Sequence, residues 1–342
     1  MKPVVKPIVL RALLRAVLAL PPALVRLRVG DPPRNDRGTP LDRDTFVLVW
    51  LENRAFGGIT KATPEKARAG MRRSVAIVAS REQGAALHVH DTRVPDGPGV
   101  RVYRPAGAPR PVLVYLHGGG WVQGDLDTHD ALCRRLAVEA DRVVVSVDYA
   151  LAPEHPFPAG LFDTLSALRW VRTADLGAPT LAGEGHIAVG GDSAGGNLAA
   201  AACLFLRDAG EPLPELQVLV YPGLDQTRVL PSHTTFARGF LLTAADIDWF
   251  QAHYAVPDLR DPLASPLLAP DLRGLPPAVV TTAGFDPLRD EGEAYVLRLR
   301  EAGVPVVHLD ESGLVHGYAS MDGVLATAHD AVARLAAVIR AG

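Results

Sequence analysis

Cysteine is nearly absent, with Cys133 and Cys203 the two in 342 residues. Both sit in apolar surroundings, and neither has neighbours at a metal-ligand or redox spacing. A disulfide framework is therefore not expected, and the pair reads as buried thiols in a reducing compartment. An excess of one charge is missing too. Against 38 Asp and Glu stand 35 Lys and Arg, scattered outside the N-terminus, which leaves −3 overall and no basic footprint for nucleic acid. No apolar run reaches the ~20 residues that span a bilayer. No internal repeat or low-complexity tract is evident. What remains, 48% hydrophobic and 21% charged residues, is ordinary globular composition on a chain long enough to bury a large core. Length alone allows two domains, so the motifs must decide the count.

The first thirty residues lack acid entirely and carry six basic residues, Lys2, Lys6, Arg11, Arg15, Arg26 and Arg28. Arg11 and Arg15 interrupt the apolar run, and no small-x-small cleavage site follows, which speaks against a signal peptide. Residues 8–20 read as a basic amphipathic helix ended by Pro21 and Pro22. Three roles stay open for it: a lid helix packed on the core, a helix lying on an anionic membrane, and an export signal.

From about residue 85 short β-rich runs alternate with longer helical ones, the pattern of a mostly parallel sheet covered on both faces. Strands are expected at 87–90, 100–103, 112–116, 143–147, 187–189, 216–220, 278–282 and 304–309. Helices are expected at 128–139, 161–171, 197–207, 292–301 and 324–339. Several strands are uninterrupted apolar runs, as burial on both sides requires. Two stretches break the rhythm: 1–84, and 224–262, where Pro231, Pro257 and Pro262 punctuate a helix near 244–254. An insertion between sheet elements falls at the carboxyl ends of the strands, where open α/β sheets bind ligands. Both stretches are rich in apolar side chains, among them Phe46, Trp50, Leu51, Phe56, Phe240, Leu241, Leu242 and Trp249, and are expected to form one lid over the site.

The strongest chemical signal is IAVGGDSAGGNLAAAA at 187–202, where a strand runs through Gly191-Asp192-Ser193-Ala194-Gly195 into a helix. This is the pattern of a nucleophile elbow: a strained turn lifts the serine hydroxyl out of the sheet, and the flanking glycines leave room for neighbouring backbone. A second signal is PVLVYLHGGGW at 111–121, a buried strand ending in three glycines whose bare N–H groups can face a developing oxyanion. Gly119 and Gly120 are the expected donors, joined by the N–H of Ala194. A phosphate-cradling loop would need a different glycine spacing or a following lysine. A third signal is order, because in this fold the acid and then the histidine follow the serine, each after a strand. Asp286 follows the strand at 278–282 and His316 the one at 304–309. Ser193, Asp286 and His316 are therefore the expected catalytic triad. His88 and His90 alternate on one strand without a nearby ligand cluster, so no metal is expected. His117 is expected to brace the glycine loop rather than to react.

At these residues the chain resembles the bacterial hormone-sensitive-lipase family of esterases. The likeness is carried by HGGGW at 117–121, DYALAPEHPFPAG at 148–160, GDSAGGNLAA at 191–200, DPLRDEG at 286–292 and HGY at 316–318, and more weakly by TPEKAR at 63–68. Two departures are Ala150, where arginine is common, and Tyr318, where phenylalanine is usual. The resemblance implies an α/β-hydrolase fold with an eight-stranded, mostly parallel sheet and a helical cap. It also implies hydrolysis of short to medium acyl esters and no cofactor. The expected organisation is an N-terminal cap segment at 1–84, a catalytic core at 85–223 and 263–342, and a cap insertion at 224–262. Hydrolysis of amides, lactones or carbamates uses the same machinery and stays open. A binding-only role, as in plant hormone receptors of similar sequence that lack the histidine, is disfavoured by His316. The expected partner is a small ester substrate in the cytoplasm, with no nucleic acid; a peripheral membrane contact and a homodimer are left open. A penicillin-recognising enzyme would need S-x-x-K, and none of Lys2, Lys6, Lys61 and Lys66 follows a serine by three.

Overall fold

Alternate residues of one five-residue strand separate the molecule into two layers. In β3 (Val112–Leu116), Val112, Val114 and Leu116 join one hydrophobic cluster while Leu113 and Tyr115 join another on the opposite face. The period of two along a strand buried on both sides dictates this division. The computed structural model describes residues 6–55, 59–60, 62–80, 87–107, 110–174, 176 and 186–341. Lys2, Phe56 and the expected boundary between residues 84 and 85 lie outside the described residues.

The other strands are β1 (Leu87–Arg93), β2 (Gly99–Pro105), β4 (Val143–Asp148), β5 (Ile187–Asp192), β6 (Leu216–Val220), β7 (Ala278–Phe285) and β8 (Val306–Val315). They form one eight-stranded sheet in the order β1-β2-β4-β3-β5-β6-β7-β8. β2 is antiparallel to both of its neighbours, and every other adjacent pair is parallel. All eight expected strands are present. β8 runs six residues beyond its expected end, through Asp310, Glu311 and Ser312, because an edge strand needs only one buried side and tolerates polar residues.

The helices are α1 (Pro7–Leu18), α2 (Pro22–Val29), α3 (Arg43–Ala55), α4 (Pro64–Val78), α5 (Asp130–Glu139), α6 (Ala159–Trp170), α7 (Ala194–Asp208), α8 (Ser232–Thr235), α9 (Ala244–Tyr254), α10 (Arg289–Glu301) and α11 (Ala326–Ala341). α6, α7 and α10 cover one face of the sheet, and α5 and α11 the other, joined there by Leu14, Leu18, Val25 and Val47 of the first three helices. Cys133 and Cys203 are both fully buried, and burial pushes both thiols well above their usual range.

The N-terminal helix ends earlier than its apolar run suggested. Pro22 does not terminate it but opens α2, where a proline at the first helical position lacks only an N–H that no carbonyl would have accepted. Arg11 does not face solvent: it lies inside and donates to the carbonyls of Ile77 (2.7 Å) and Ala76 (3.2 Å) at the end of α4. A cation there satisfies carbonyls that the helix leaves bare and complements its dipole.

Candidate active site

Ser193 stands between β5 and α7 with φ 55° and ψ −117°. Such left-handed geometry strains a non-glycine residue and is held by its surroundings. A Cβ on Gly195 would overlap the carbonyl of Leu116, so α7 can approach β3 this closely only with glycine there. The run of alanines that follows in α7 is fully buried against the sheet.

The chain end of the sheet brings two distant loops to this serine. His316 follows β8, and its Nε2 lies 2.9 Å from Ser193 Oγ. Its Nδ1 lies 2.7 Å from Oδ2 of Asp286, which follows β7 and is completely buried. The other carboxylate oxygen of Asp286 accepts the backbone N–H of Leu288 at 2.8 Å. The Tyr221 ring packs at 4.8 Å from the His316 ring and at 5.0 Å from that of Tyr318. The hydroxyl that distinguishes Tyr318 from phenylalanine is buried but donates to Thr281 Oγ1 at 2.9 Å, so the departure costs no unpaired polar group.

The glycine loop after β3 enters the same space. Gly119 (φ 126°) and Gly120 (φ 60°) adopt conformations that L side chains rarely take. Together with Ala194 they line the cavity that holds Ser193 and His316, and their N–H groups donate to no acceptor among the described residues. His117 sits beneath the loop, stacked on Tyr149 at 4.3 Å, with Nδ1 2.9 Å from the Gly118 carbonyl. Burial, with His129 alongside, lowers its pKa to about 4, so it is a neutral brace.

One functional group escaped the sequence reading. Asp192, inside the Gly-Asp-Ser triplet, is buried and accepts hydrogen bonds from Tyr115 Oη (2.9 Å) and the Gly118 N–H (3.0 Å), with His129 Nε2 3.3 Å away. Burial alone would raise this carboxyl, but His129 and the Tyr115 hydroxyl outweigh it and hold it below the usual carboxylate range. It thereby ties the residue before the nucleophile to the loop carrying the free N–H groups. Asn197, one turn into α7, was also missed; its amide donates to the carbonyls of Gly223 (2.8 Å) and Ala264 (2.9 Å) on either side of the 224–262 excursion. Neither residue has a signal of its own, since their partners come from distant parts of the chain.

A cavity of about 600 Å³ opens over Ser193. Its lining draws on both stretches that break the strand-helix rhythm and gives it an apolar roof: Met71, Val75 and Val78 of α4, and Leu241, Leu242, Ile247 and Phe250 of the excursion. Phe250, on α9, presses on the glycine loop, where a Cβ on Gly120 would overlap its ring. Arg68 of α4 donates to the carbonyls of Val122 (2.8 Å) and Ala152 (2.9 Å) and pairs with both oxygens of Glu154. The hydrogen bonds from Arg68 hold the Glu154 carboxyl near 2, at the floor of its range: its pKa is lowered to about 2. This explains two sequence motifs at once, TPEKAR and the Pro-Glu of DYALAPEHPFPAG. Arg289, three residues past Asp286, pairs with both oxygens of Asp36 at 2.6 and 2.8 Å. His88 and His90 are exposed on β1, and no group of residues able to hold a metal occurs among the described residues.

Chemically, a hydroxyl is hydrogen-bonded to an imidazole, the imidazole to a buried carboxylate, and unpaired backbone donors converge on the same cavity. That set suits attack on a carbonyl carbon with charge developing on its oxygen. A family model described as the α/β-hydrolase fold matches residues 113–320. The carboxylic ester hydrolase LipN of Mycobacterium tuberculosis is 44% identical over 303 residues, covering 83% of this chain and 78% of that protein. The carboxylesterase NlhH of the same species is 48% identical over 240 residues, covering 68% and 74% respectively. Among solved structures, the ester-hydrolase EH1AB1 from the metagenome of Lake Arreo superposes with a TM-score of 0.83 at 40% identity, covering 88% of this chain and 98% of that one.

Proposed function

This chain belongs to the α/β-hydrolase fold family, among its hormone-sensitive-lipase esterases, and from that premise we propose that it cleaves short to medium acyl esters through an acyl-enzyme on Ser193. It is a carboxylic ester hydrolase. The observation that carries the catalytic assignment is the unbroken chain Ser193 Oγ, His316, Asp286 at 2.9 and 2.7 Å beside three undonated N–H groups.

In the reaction Ser193 Oγ attacks the ester carbonyl carbon while its proton passes to His316 Nε2. The carbonyl oxygen becomes an oxyanion and accepts the N–H groups of Gly119, Gly120 and Ala194, each worth about 3 kcal/mol. Asp286 keeps the proton on Nδ1 and stabilises the imidazolium. As the tetrahedral intermediate collapses, the C–O bond to the alcohol breaks and His316 returns its proton to that leaving oxygen. Water then attacks the acyl carbon with His316 again as base, releasing the acid and restoring the serine.

Residues 85–223 and 263–342 act as the catalytic core, with 1–84 and 224–262 as the cap. The apolar roof between α4 and α9 supports this division and a site for the acyl chain. Each buried methylene contributes about 0.8 kcal/mol, so the rate constant kcat/KM should climb about fourfold per added carbon and then stop where the roof ends. Ser193→Ala should lower hydrolysis of short p-nitrophenyl esters by about 10,000-fold or more. An organophosphate should attach once, at Ser193. Near-normal turnover by the variant, or an adduct on another residue, would defeat the assignment.

A further inference from the structure

The helix α1 is apolar on two opposite faces, of which the protein covers one. Arg11, Leu14 and Leu18 point inward, and Val9, Leu13 and Ala16, spaced to lie opposite them, point out, followed just past the helix by Leu20. Val9, Leu13 and Leu20 are 46%, 58% and 42% exposed, and on α2 Leu24 and Leu27 are 54% and 85% exposed. A surface helix ordinarily turns polar side chains to water, and scattered exposed leucines mean little, but a repeated outward stripe continued on a second helix marks a contact surface. No single helix among the described residues is long and apolar enough to cross a membrane. α1 and α2 together have the length and composition to do so, but they meet at 103°, and each buries its inner side in the core. They are built to lie along a surface.

The charge on these helices identifies the surface. Residues 1–30 hold six basic residues and no acid, in a chain whose net charge is −3, although Arg11 is buried and Arg26 pairs with Asp31. Lys6 and Arg28 are exposed and have no acidic partner among the described residues, whereas Arg15 donates to the Gly323 carbonyl at 2.7 Å. Apolar side chains flanked by cations fit the boundary of a bilayer with anionic headgroups, where burial and charge attraction add. We propose that α1 and α2 seat the protein on an anionic lipid surface. Arg11 fastens α1 to the end of α4, so the seat is attached to the roof of the site and does not hang from the fold by a linker. Docking is independent of the ester chemistry.

The test uses the full chain and its Leu13→Glu/Leu27→Glu variant, both positions being exposed and outside the site. Flotation with phosphatidylcholine vesicles containing a minor share of phosphatidylglycerol should carry the wild-type protein. Binding should weaken about tenfold or more in the variant and with added salt. Hydrolysis of a water-soluble short ester by the variant should stay at the wild-type rate, which shows that its fold is intact. Absence of flotation, flotation that the variant retains, or a wild-type dimer in solution that the variant splits would each overturn the proposal, the last by naming a second copy as the occupant.

Discussion

Replacing Asp286 with asparagine tests the site more sharply than its removal would, because the hydrogen bonds already decide how the new amide must sit. Oδ1 of Asp286 accepts the Leu288 N–H at 2.8 Å in a fully buried position. An asparagine carbonyl must stay there, since turning the NH2 toward another N–H sets donor against donor at a cost of about 1–3 kcal/mol. The NH2 then faces His316 Nδ1, where the carboxylate oxygen stood at 2.7 Å. Imidazole answers by moving its proton to Nε2, which removes the lone pair that should take the serine proton. To this tautomer penalty is added the lost charge-assisted hydrogen bond to the imidazolium, about 1.5–3 kcal/mol. The sum, roughly 2.5–6 kcal/mol, corresponds to a fall in kcat of about 70-fold to about 25,000-fold, with KM little changed. Steady-state kinetics on a short p-nitrophenyl ester, with a thermal melt as a check on folding, would measure it. A folded variant that lost less than about tenfold would refute the reasoning from Leu288.

Gly120→Ala should cost both the strain of a side chain at φ 60° and an overlap with the Phe250 ring. A fall in kcat of about 100-fold is expected, with partial recovery when Phe250→Ala is added; no recovery would assign the loss to backbone strain alone. Stability against pH should expose Glu291, which is buried against His233 and pushed up to about 7 by burial. The folded chain then holds a proton that the unfolded chain releases above about 4.5. That contribution is present below this pH and is lost as pH rises through about 7. Relative to wild type, Glu291→Gln should therefore gain about 1–3 kcal/mol across that window in urea melts, and parallel curves would show that the carboxyl titrates normally.

The parts of this molecule that a reader of the sequence can reach are those in which the residue and its neighbours along the chain carry the constraint. Gly191 and Gly195 bracket Ser193 because the turn itself excludes side chains, and the apolar run of β3 announces a strand because both its faces are buried. The order of Asp286 and His316 was legible because a parallel sheet delivers successive loops to one edge. Asp192 was not, since its meaning lies in Tyr115 and His129, which reach it from β3 and from the residue preceding α5. Arg11 was misread for the same reason: in sequence it interrupts an apolar helix, whereas in space it closes the end of α4, 65 residues away. The end of β8 was hidden because polar residues on an edge strand look like a loop.

Two of the arginines that hold the N-terminal stretch grip the parts proposed to do chemistry. Arg68 ties α4 to the carbonyl of Val122, two residues beyond Gly120, the proposed oxyanion donor, and Arg289 ties Asp36 to the segment that begins at Asp286. A roof anchored in this way is not a flap that opens on its own hinge. A substrate tail that wedges α4 outward pulls on the donors that must meet the oxyanion, and one that fills the roof without strain leaves them aimed. Poorly fitting chains should therefore be turned over slowly even when they bind well, and selectivity should appear in kcat as much as in KM.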